Sequence, residues 1–178
     1  MDVGLLILRA VVGALFVGHG AQKLFGSFGG YGIEGTGGFM SSLGYRNGRA
    51  MAKLTGLAEF GSGALLMLGF LTPFAAAGII GVMLNAIIAV HAPKGMWNPE
   101  GGMEYPIVLS TIAATLAFAG PGAYSIDAAL DLGLAGNTWG LSAILLGTIS
   151  GSIVAMSRRP APAQEQAAPE ATRGKRAA

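Results

Sequence analysis

Six ionisable side chains sit within or against long apolar runs of this chain: Arg9, His19, Lys23, Glu59, His91 and Glu104. A charge in hydrocarbon costs roughly 2.5–3.5 kcal/mol on insertion scales, so such groups face a protein interior, pair with one another and mark a site. Their chemistry would be proton exchange and the binding of a small polar group. Lys23 and His19 can supply positive charge or hydrogen-bond donors. Glu59 and Glu104 can accept protons or hold those bases in place, and a His or Glu titrates near neutral pH if burial and neighbours tune it. Gln22, one residue before Lys23, and Asn85 extend the candidate set, and Thr111 could add to the polar interior.

Each residue also has a plainer use. Lys23 can snorkel to the head groups, and Glu104 can complement the N-terminal dipole of its helix. His91, beside Pro93, can be an interfacial side chain, and His19 can make an interhelical hydrogen bond. Glu59 can be protonated and hydrogen-bonded, and Arg9 can be structural or lipid-facing near the outer interface. Metal ligation is not expected, because two histidines and two carboxylates occur without HExxH or ExxH spacing. The absence of cysteine excludes a disulfide, a thiolate nucleophile, a CxxC redox pair and a self-ligated Fe–S cluster. The glycine-rich stretch 26–48 has neither a preceding strand nor GK[ST], and so matches no phosphate or dinucleotide fingerprint.

The elements that must position these residues are membrane helices. The 178-residue chain is 52% hydrophobic and 11% charged, and its mean hydropathy is +0.58. Its 30 glycines show no collagen period. A net charge of +2 with no basic patch argues against nucleic acid as a partner. A span needs about 20 mostly apolar residues. Five segments qualify: about Gly4–Phe25, Met51–Leu71, Phe74–Ala92, Glu104–Ala119 and Trp139–Met156. Thr72-Pro73 breaks the second from the third. The composition of the Gly26–Gly48 loop disfavours a continuous helix, and Phe28, Tyr31, Ile33, Phe39, Met40 and Leu43 suggest that part of it lies at the interface. Ser125 can cap a short helix containing Asp127. Gly147 and Gly151 form a GxxxG packing motif in the fifth segment. The N-terminus MDVGLLILRA lacks a basic n-region, so no cleaved signal peptide is expected.

Lys and Arg counts orient the spans. Lys23, Arg46, Arg49, Lys53, Lys94, Arg158 and Arg159 all fall on one side of a five-span chain. The expectation is an N-terminus outside and a C-terminus in the cytoplasm. His19, Lys23, Glu59, His91 and Glu104 then share the cytoplasmic half, with Arg9 apart near the outer face. On the first helix Arg9, Val12, Phe16, His19 and Lys23 form one stripe. On the second, Gly56 and Gly63 flank Glu59 on a small-residue face that should pack inward.

These residues carry a resemblance. Leu8-Arg9, His19-Gly20-Ala21-Gln22-Lys23-Leu24-Phe25-Gly26, Gly35-Thr36-Gly37-Gly38-Phe39 and Ser42-Leu43-Gly44 are followed by Leu57-Ala58-Glu59-Phe60-Gly61-Ser62-Gly63 and His91-Ala92-Pro93-Lys94-Gly95. Gly101-Gly102-Met103-Glu104-Tyr105-Pro106 and Gly120-Pro121-Gly122-Ala123-Tyr124-Ser125-Ile126-Asp127 complete the series. Over residues 5–131 the chain resembles the DoxX family of small bacterial membrane proteins. The resemblance implies an all-α, membrane-spanning four-helix bundle over 1–135. To this the chain adds a fifth transmembrane helix at 136–157 and a disordered cytoplasmic tail at 158–178.

Through the family's relation to the DoxD-type subunit of thiosulfate:quinone oxidoreductase, the resemblance also implies a subunit or accessory of a membrane redox system. Such a protein would have a quinone as its candidate cofactor and soluble or membrane redox proteins, or further copies of itself, as partners within the lipid bilayer. It would not be catalytic alone. The competing readings are a small transporter or lipid-handling protein using the same pocket, and a scaffold whose buried charges only fix helix register.

Overall fold

A computed structural model describes residues 1–159; of the disordered tail expected at 158–178, Arg158 and Arg159 are instead hydrogen-bonded to the fold and the rest lies outside the described residues. The fold is all-α. Seven α-helices follow in order among the described residues: α1 (Asp2–Phe25), α2 (Gly32–Ser42), α3 (Gly48–Leu68), α4 (Thr72–Ala86), α5 (Glu104–Ala119), the single-turn α6 (Ile126–Ala129) and α7 (Asn137–Met156). A π-helical turn, Ile87–His91, prolongs α4.

Among the described residues three segments are long and apolar enough to cross a membrane: Asp2–Phe25, Thr72–Lys94 and Asn137–Met156. The sequence expected five, and two fall short for different reasons. The α5 helix is apolar but only 16 residues long. The α3 helix has the length, at 21 residues, but Arg49, Lys53 and Glu59 lower its apolarity.

The packing explains how α3 tolerates that charge. It lies along α1 through glycines on both helices. A Cβ on Gly20 would come within 2.5 Å of the Phe60 nitrogen, and one on Gly63 within 2.6 Å of the Gly13 carbonyl. Backbones this close leave only one face of α3 to the surroundings, as small-residue interfaces do. On the other side of the bundle, Gly147 and Gly151 of α7 seat against α4; a Cβ on Gly147 would meet Ile80 at 2.7 Å. The GxxxG motif therefore packs within the chain. Val12, Phe16, Leu66, Ile79, Leu109, Leu116 and the α4 alanines fill the core between these layers.

The stretch 26–48 departs from its expectation, because it contains the 11-residue helix α2. Glycine weakens an isolated helix by about 1 kcal/mol per residue relative to Ala. Here the glycines permit an approach that compensates: a Cβ on Gly48, at the start of α3, would fall 2.0 Å from the Gly37 carbonyl of α2. The loop does reach the surface, with Phe28 and Tyr31 exposed, but Met40 is buried in the fold.

Candidate functional site

The structure brings two of the six singled-out residues into direct contact. Lys23, in the last turn of α1, forms an ion pair with both carboxylate oxygens of Glu59 on α3. The Glu59 side chain is 4% exposed and that of Lys23 is 26% exposed, so the pair has one sealed end and one open end. Gly56, one turn before Glu59, makes room for it: a Cβ there would press on Leu24 at 2.8 Å and on the Lys23 Cβ at 3.3 Å.

The open end of Lys23 borders a cleft of about 510 Å³ between α1, the 29–31 turn and α2. Tyr31, Phe39 and Met40 give it apolar walls, and Gln22, Lys23 and Thr36 give it polar ones. A lysine ammonium carries three donors, and Glu59 takes two of its bonds. One donor is left for an acceptor in the cleft. Gln22 steadies the wall by donating from Nε2 to the Phe28 carbonyl at 3.3 Å.

The other candidates lie elsewhere. His19 does not share the buried stripe of α1; it is exposed, and its Nδ1 lies 3.2 Å from Oε1 of Gln22. The reason is local, since Gly20 and not His19 is what α3 can approach at that level. His91 donates through Nδ1 to the Gly101 carbonyl at 2.7 Å. Glu104 accepts from the Asn98 amide at 3.0 Å. Both hold the segment between α4 and α5, and no hydrogen bond joins them to Lys23 or Glu59. Asn85 is buried and accepts from the Tyr45 hydroxyl at 2.6 Å. Burial pushes the Tyr45 phenol up from its ordinary range, against the opposite pull of the Asn85 bond and of Arg158. Tyr45 was missed in the sequence because nothing local marks it; its partner is 40 residues away.

Of the two plainer uses open to Arg9, the structure gives the structural one. It is not lipid-facing but 1% exposed, donating from Nη1 to the Met67 carbonyl at 2.8 Å. It belongs to a closed knot at the opposite end of the bundle. Asp127, expected only as a first-turn residue of its own helix, reaches across to α4. It accepts from the amides of Leu71 at 2.7 Å and Thr72 at 3.0 Å, and from the Thr72 hydroxyl at 2.7 Å. Helix α4 has Leu71 at its N-cap, with no side-chain cap of its own and a left-handed φ of 50°. A carboxylate from elsewhere supplies the missing acceptor. The absence of a local Ser, Thr, Asp or Asn cap before Thr72-Pro73 was the available signal. Ser125 caps α6 as expected, accepting from the Ala128 amide at 3.1 Å.

Among the described residues no cluster of His, Cys, Asp or Glu could hold a metal ion. What the fold and site define is a helical membrane bundle with a buried acid–base pair opening on a side cleft. The family model described as DoxX matches residues 4–92, which contain that pair and both walls of the cleft. The inner membrane protein YqjF of Escherichia coli strain K12 is 32% identical over 135 residues, covering 73% of this chain and 94% of that protein. The chain belongs to the DoxX family. No solved structure matches it.

Proposed function

We propose that the protein is a plasma-membrane accessory or subunit of a redox system that binds a quinone-like or small anionic ligand in the cleft beside Lys23. The observation that carries this is the half-open ion pair: Glu59 is sealed, while Lys23 borders the cleft. A quinone fits the residues present. Its ring would lie among Tyr31, Phe39 and Met40, and its carbonyl would take the remaining Lys23 donor. The quinone would supply the two-electron chemistry that a chain without cysteine lacks. The protein's own part is to hold the ring and to present a donor, Lys23, that Glu59 fixes in place from behind. An anion would instead compete with Glu59 for Lys23.

The inner-membrane description of the Escherichia coli relative supports the address. The loop charges support an N-terminus outside and a C-terminus in the cytoplasm, with α3 and α5 joining the three longer apolar helices as spans. A scaffold reading draws on the same pair, since Lys23 and Glu59 already satisfy one another. Mass spectrometry of what copurifies with the detergent-solubilised protein separates the two. A quinone retained by the native protein and lost in Lys23→Met supports the redox reading. Purified protein free of quinone, together with a deletion strain whose membrane thiol-oxidation balance is unchanged, would refute it.

A further inference from the structure

A second cavity, of about 150 Å³, lies between α3, α4 and α7 and touches neither Lys23 nor Glu59. Thr55 and Ala58 of α3, Gly78 and Asn85 of α4, and Ser150 and Val154 of α7 line it. Leu54, also in its wall, is 51% exposed, so the mouth faces outward between α3 and α7. An apolar cavity of about this size accepts a benzene ring.

Its polarity is one-sided. The Thr55 hydroxyl donates to the Met51 carbonyl at 2.9 Å, and the Ser150 hydroxyl to the Gly147 carbonyl at 3.1 Å. Asn85 is different. Its residue is 6% exposed and its Oδ1 already accepts from Tyr45. Its amide nitrogen, with two N–H donors, has no partner among the described residues. Nor is that nitrogen sealed in, for the one enclosed and unpartnered side-chain polar atom among them is Arg9 Nε. A donor open to the cavity can meet a ligand's acceptor there, and one such hydrogen bond is worth about 0.5–1.5 kcal/mol. The π-helical turn begins two residues after Asn85, and such turns are frequent at functional sites.

We infer that this cavity is a binding site for a neutral, single-ring molecule that carries a carbonyl-type acceptor and enters from the bilayer, with Asn85 as the donor that selects it. Helix α7 supplies the outer wall, so the site depends on a segment beyond the 4–92 family match. It is independent of the cleft at Lys23, and either assignment can fail without the other.

The test uses the full-length protein in phospholipid nanodiscs and two probes of similar size, acetophenone and toluene, followed by ligand-observed NMR. One hydrogen bond made in a dry site predicts a preference for acetophenone of roughly five- to tenfold. Asn85→Leu should abolish the preference while toluene still binds, and Ala58→Phe, which fills the cavity, should abolish binding of both. Lys23→Met should change neither. Equal affinity for the two probes, a preference that survives Asn85→Leu, or binding untouched by Ala58→Phe would overturn the assignment. Binding in detergent that disappears in nanodiscs would also overturn it, by showing that bilayer lipid occupies the space. Should Asn85→Leu fail to fold, the native probe comparison and Ala58→Phe still decide.

Discussion

The two ends of the bundle bury charge in opposite ways. At one end Asp127 spends both carboxylate oxygens on the first turn of α4, and Arg9 is closed in against the end of α3. At the other end Glu59 is as deeply buried, but its partner Lys23 keeps a quarter of its side-chain surface open to a cleft. Burial alone therefore does not mark a functional charge in this molecule. What distinguishes the Lys23 end is an unspent donor with space beside it, whereas the Asp127 knot is a cap and a clasp.

That contrast can be broken most severely at Asp127. Asp127→Ala leaves two amides and a hydroxyl of α4 without an acceptor and Arg9 without its neighbouring carboxylate. It should cost about 3–5 kcal/mol, read as a large fall in Tm of the solubilised protein. The fraction that remains folded should bind ligand in the cleft normally. Normal stability with lost binding would reverse the roles of the two ends.

Overpacking comes next. Gly20→Val forces a side chain to within 2.5 Å of the α3 backbone and should cost about 1–3 kcal/mol, again by Tm. Because the strain sits one turn from Lys23, it should also weaken cleft binding, a double effect that Asp127→Ala should lack.

Glu59→Gln preserves volume and an acceptor but leaves Lys23 as an unbalanced cation. Lys23 is partly open and can turn toward the head groups, so the loss should be smaller than for a sealed pair, about 1–2 kcal/mol. Equilibrium unfolding in mixed detergent would measure it. The smallest effect belongs to Arg49→Ala. The Arg49–Glu34 pair is about 70% exposed on both sides and screened by solvent, so its loss should move stability by less than about 1 kcal/mol.

Much of the helical order was legible. Hydropathy located α1, α4, α5 and α7 to within a few residues, and the Gly56/Gly63 spacing put Glu59 on an inward face. The Glu59 partner was not legible, because helix phase cannot say which of several inward-facing bases another helix will meet. His19 and Lys23 are one turn apart, yet only Lys23 reaches Glu59. Helix α2 was hidden because its glycines argue against a helix until the α3 surface that needs them is known. Arg9 and Asp127 were underestimated for a related reason: most of their partners are backbone groups at Met67, Leu71 and Thr72, whose one trace in the sequence is the missing local cap before Thr72.

On the proposed function, Lys23 serves a ligand and not only the fold. A short-chain benzoquinone titrated into native and Lys23→Met protein in nanodiscs, with Tm recorded on the same samples, tests it most directly. Binding to the native protein should be saturable and should fall at least tenfold in Lys23→Met, with Tm shifted by only a few degrees. Equal binding by both proteins, or none by the native one, would contradict it.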